Sequence, residues 1–89
     1  MNKTNLLLGS LSNDLLRLAT FVHNDSPSAR RFLTEAKRWA LQLKDLDLPP
    51  HLSKIVIDIH EAPSTMPTLA QAERYLMYSV LLQNHTLHS

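Results

Sequence analysis

The chain has no cysteine and a single glycine, Gly9. Without cysteine there is no disulfide framework, thiolate zinc site, iron–sulfur cluster or cysteine nucleophile. One glycine cannot build a G-x-G-x-x-G turn or a P-loop, each of which needs at least two. Aromatic residues are sparse at 6%. Apolar runs are short, and none approaches the ~20 residues of a membrane span. Lys3 followed by Leu6, Leu7 and Leu8 resembles the start of a secretory leader. Gly9, Ser10 and Asp14 interrupt it before the ~7–15 apolar residues of an h-region are reached. The motifs Asn2-Lys3-Thr4 and Asn84-His85-Thr86 fit the glycosylation pattern but read as chance matches without a secretory route. A cytoplasmic protein with no membrane contact is the expectation.

What is present is ordinary globular composition. The 89 residues are 44% hydrophobic and 19% charged, enough for one helical domain over residues 1–89 and no second one. The net charge of +1 conceals an asymmetry: residues 1–44 carry seven Lys and Arg against three acids, and residues 45–89 carry two against five. Such a dipolar chain can attract a polyanion at one end, or an antiparallel copy of itself.

The apolar periodicity is helical nearly throughout. Leu8, Leu11, Leu15, Leu18, Ala19 and Val22 share a stripe, with Ser12, Asn13, Asp14, Arg17 and Thr20 outside it; this predicts helix 1 over 6–22. Asn24-Asp25-Ser26-Pro27 is the break, with Ser26 suited to an N-cap and Pro27 to the first helical position. Helix 2 follows over 27–43, burying Ala29, Phe32, Leu33, Ala36, Ala40 and Leu43, with Trp39 at the rim. Pro49-Pro50 separates it from a shorter helix 3 over 50–61. Residues 54–60 also alternate with β-branched Ile55, Ile57 and Ile59, so a strand competes there; a lone strand would have no partner. Pro63 stops helix 3. Thr68 with Gln71 forms a capping-box pattern that opens helix 4 over 68–83. The expected architecture is all-α, a small antiparallel bundle of four helices joined by short loops.

Helix 4 carries more apolar surface than one core contact can use. Leu69, Ala72, Leu76 and Val80 form one stripe, and Ala70, Met77 and Leu81 a second about a quarter turn away. Tyr75, Tyr78 and Leu82 spread over a third side. A helix apolar all round is central in its fold or covered by a partner. Ala70, Met77, Tyr78 and Leu81 are therefore the candidate self-association face, and a homodimer is the expected partner arrangement. Leu16, Phe21 and Ile57 are isolated apolar residues on otherwise polar sides, which is common.

Helix 2 supplies the rival function. Arg30, Lys37 and Lys44 recur every seven residues, with Arg31 and Arg38 in a neighbouring row. Five cations along one helix can track phosphates, each contributing a salt-dependent term. A solvated face whose long stems cover the core edge is the favoured explanation, and the sequence pI of 8.2 lies below the ~9 typical of a nucleic-acid domain, so nucleic acid is not the expected partner. The five histidines do not form a ligand pattern: no Glu-x-x-His occurs, and His85 and His88 alone stand at helical spacing. Glu73 falls inside the apolar arc of helix 4, where a carboxylate is desolvated or paired, although so near a helix start it more often reaches solvent or a cation. No serine or threonine has a nucleophile context. The expectation is a non-enzymatic interaction or regulatory module without metal or cofactor, self-associating through helix 4. The alternative is a nucleic-acid module on helix 2.

Overall fold

The computed structural model describes residues 2–88, which form four helices: α1 (Lys3–His23), α2 (Ala29–Leu43), α3 (Pro50–Glu61) and α4 (Leu69–His88). The segment 54–60 is helical, with Ile55 and Ile59 buried and Ile57 outside. Two ends extend past their expected positions. The Asn2 side chain accepts the Asn5 backbone N–H at 2.7 Å, so α1 starts at Lys3 rather than near Leu6. No proline or glycine follows Gln83, and α4 continues to His88.

The turn after α1 is a Schellman motif. Ser26 N–H bonds the Phe21 carbonyl at 2.9 Å and Asp25 N–H bonds that of Val22 at 3.1 Å. This places Asp25 at φ 53°, in the left-handed region where a side chain other than Asn or Asp is rarely found. The Ser26 hydroxyl accepts the Ser28 N–H at 3.3 Å, and the regular helix begins at Ala29, two residues after Pro27. Asp25→Gly removes the strain of the Cβ and is expected to stabilise the fold by about 1 kcal/mol, a rise of ~4–8 °C in the melting temperature. An unchanged or lowered melting temperature by circular dichroism contradicts this account of the turn.

The capping box at α4 is present with both halves. Thr68 Oγ1 accepts the Gln71 N–H at 3.2 Å, and Gln71 Oε1 accepts the Thr68 N–H at 2.8 Å.

α1 is the central helix and packs antiparallel against both α2 and α4. Against α4 the register is set by Ser12, whose hydroxyl donates to the Ser79 carbonyl at 2.7 Å. Small residues line this contact, with Ala19 and Ala72 fully buried as well, so the two backbones can approach closely. Against α2, the Phe21 and Phe32 rings stack at 5.2 Å, and Trp39 reaches Asp14. Ser12 and Asp14 are thus buried, although an amphipathic reading of α1 puts them on the polar side. A helix with neighbours on two sides buries more than one stripe, and each of these polar groups carries its own hydrogen bond. α3 packs on α2 through Leu52, Ile55, Val56 and Ile59, and faces α4 across longer side chains. Among the described residues no helix is long and apolar enough to cross a membrane.

Candidate functional surface on helix 4

The inward side of α4 is set by Ala72, Tyr75, Ser79 and Leu82, all buried and spaced by three and four residues. At ~100° per residue the opposite side then carries Met77 and Leu81, and the flank beside it Leu69, Leu76, Val80 and Leu87. These six side chains are exposed by between 39% and 68%. Ala70 is exposed among them. Of the four residues expected to form the self-association face, Ala70, Met77 and Leu81 stand together on this outward side.

Tyr78 does not. It is half-buried and turns to α3, where its hydroxyl donates to Asp58 Oδ2 at 2.6 Å. Burial and the Asp58 carboxylate together push its phenol up to about 12. Arg74 approaches the same carboxylate oxygen at 3.6 Å. The inward turn of Tyr78 follows from its place within a turn of Tyr75 and Leu82, which sequence periodicity groups with it. Glu73 follows the commoner of its two expected arrangements. It is exposed on the outward side, level with the apolar row rather than desolvated within the fold.

Sequence reasoning left Leu69, Leu76, Val80 and Leu87 out of the candidate face. A signal for them exists. Positions 69, 73, 76, 80, 83 and 87 alternate spacings of four and three, the seam pattern of paired helices. Beside the end of this seam lies a cleft of about 280 Å³ between the start of α1 and the end of α4, lined by Leu6, Gly9, Asn13, Thr86 and Leu87 among others. Leu6 is exposed there, and a Cβ added at Gly9 would meet no atom within 4 Å.

The basic row of α2 is largely engaged within the chain. Lys37 Nζ donates to the His60 carbonyl at 3.0 Å and also to the Ala62 carbonyl, so it caps the C-terminal end of α3. Arg38 pairs with Glu35 at 3.6 Å, and Lys44 with Asp45 at 3.2 Å. The Arg31 guanidinium lies 5.6 Å from the centre of the Phe32 ring, with that of Arg17 at 5.9 Å. Arg30 projects to solvent. A second cleft of about 290 Å³ opens beside Lys37, Arg38, Leu41 and His60, and the ammonium at its edge is the one held by the α3 carbonyls.

The histidines spread over the molecule. His51 and His85 approach edge-on at 6.3 Å between ring centres. Among the described residues no three His, Asp or Glu side chains gather as a metal-ligating group. Comparison with known proteins returns no matching family, no matching curated protein and no matching solved structure.

Proposed function

We propose that this chain is a small, non-enzymatic interaction or regulatory module of the cytoplasm that acts as a homodimer through the outward face of α4. The observation that carries the reading is the six exposed apolar side chains spread over one flank and the outer side of α4. Together they amount to roughly 500 Å² of apolar surface, at the upper end of the ~300–600 Å² of the largest patch on a typical monomer. The alternative, a nucleic-acid module on α2, has less support, because Lys37, Arg38 and Lys44 already hold carbonyls or carboxylates within the chain.

Replacing Leu76 and Val80 with glutamate tests the reading. Both are exposed, so the double variant is expected to keep its helicity and to sediment as a monomer where the wild type sediments as a dimer. A wild type that remains monomeric at high micromolar concentration overturns the proposal.

A further inference from the structure

Resting on that reading, we infer that the partner is a second copy crossing antiparallel about a two-fold axis at the level of Tyr78, with Leu69 of each copy seated in the Leu6–Gly9–Leu87 cleft of the other.

The seam along this flank of α4 is self-complementary. Counted from position 78, Leu69, Glu73 and Leu76 stand nine, five and two residues before it, and Val80, Gln83 and Leu87 two, five and nine after it. A two-fold axis through that level, normal to the helix, sets each residue opposite its mirror position. Leu69 then meets Leu87, Leu76 meets Val80, and Glu73 meets Gln83, whose amide can donate to the carboxylate. A parallel pairing would instead set Glu73 against Glu73, two like charges in an apolar seam.

Area brings in the cleft. The α4 face alone provides less than the ~800 Å² per partner of a standard interface. Leu87 is both the mirror of Leu69 and a wall of the cleft, so a Leu69 side chain arriving there lies against Leu6 and over the open site at Gly9. Leu6 and Leu87, the exposed apolar residues at this end, are covered in the same step. The knob and the hole sit at opposite ends of one helix, and an antiparallel pair closes both ends at once.

The absence of cysteine allows a direct test in the full chain. Leu69→Cys and Leu87→Cys variants are prepared separately, mixed and oxidised. The expected product is a disulfide between unlike chains. Neither variant alone is expected to cross-link, because like positions then lie about 27 Å apart along the pair, far beyond the ~7 Å that a disulfide spans. A Leu69→Cys chain that cross-links to itself shows a parallel pair and overturns the inference. So does a mixture without the unlike disulfide when the wild type is dimeric; self-association then stands and this geometry falls. A monomeric wild type removes both. Gly9→Leu gives an independent reading of the cleft: it fills the hole, improves the helix propensity of α1, and is expected to weaken the dimer at least ~tenfold while the chain stays folded. An undiminished dimer from a folded Gly9→Leu chain excludes the cleft as the seat of Leu69.

Discussion

Trp39→Ala is expected to lose about 3 kcal/mol of folding stability, and its melting temperature to drop by roughly 15 °C. Two losses combine. The half-buried indole packs against the core, and truncation leaves part of its volume empty. Its Nε1–H also donates to Asp14 Oδ2 at 2.7 Å, and without it a buried carboxylate loses its donor. A domain of this size holds only about 4–13 kcal/mol in all, so this single change removes a large share. Trp39→Phe separates the parts, keeping most of the packing and removing the N–H. If Trp39→Ala costs less than about 1 kcal/mol in urea titration, the indole is not the wedge between α1 and α2 described above.

The same pair gives a pH dependence. Burial raises the Asp14 carboxyl above its ordinary 3.8, the Trp39 hydrogen bond only partly opposes this, and Glu35 adds to the rise while Arg17 lowers it. A carboxyl raised in the folded state favours folding when protonated. Its contribution is therefore full below 3.8 and is lost as pH climbs through the folded value. Asp14→Asn keeps an acceptor for the indole and removes the charge. It is expected to equal or exceed the wild type at pH 7 and to flatten the decline in stability above pH 3.8. A variant less stable at neutral pH, with an unaltered profile, contradicts the assignment.

Much of the fold was legible because its punctuation is strong. Pro49-Pro50, Pro63 and the Thr68–Gln71 box mark helix ends through local chemistry that tertiary packing does not override. The α1 start was less legible, because Asn2 caps from outside the apolar pattern. Ser12 and Asp14 were misplaced for a different reason. Periodicity finds one buried stripe, whereas α1 has neighbours on two sides, and nothing local announces that Ser79 and Trp39 will supply partners. On α4 the surplus of apolar residues was readable, but which side turns outward was not. That choice depends on the small residues Ala72 and Ser79 meeting α1, and hydrophobicity ranks them below the leucines that remain exposed. The basic row of α2 shows the converse: seven-residue spacing looks like a binding stripe until Lys37 is seen capping α3.

Asp58→Ala is expected to cost about 2–3 kcal/mol and to loosen α3 from α4. α3 packs its apolar side on α2, and α4 meets it mainly across side chains. The short Tyr78–Asp58 hydrogen bond is the central tie, and a bond to a charged acceptor contributes about 1.5–3 kcal/mol. Arg74 adds little, because its ion pair with Asp58 is half-exposed. Tyr78→Phe deletes the tie from the other side, and the two changes together should cost much less than their sum. The tie also gives the fold a pH dependence on the alkaline side. The phenol is raised from its ordinary 10.0 to about 12, so the folded state favours the protonated ring; this stabilisation is complete below pH 10 and disappears as pH rises toward 12. Spectrophotometric titration should show Tyr78 ionising late in the wild type and moving toward 10 in Asp58→Ala, with α3 amides exchanging faster. If Tyr78 titrates near 10 in the wild type, the Asp58 bond does not hold α3 to α4, and the Asp58→Ala penalty should then shrink to that of an exposed ion pair.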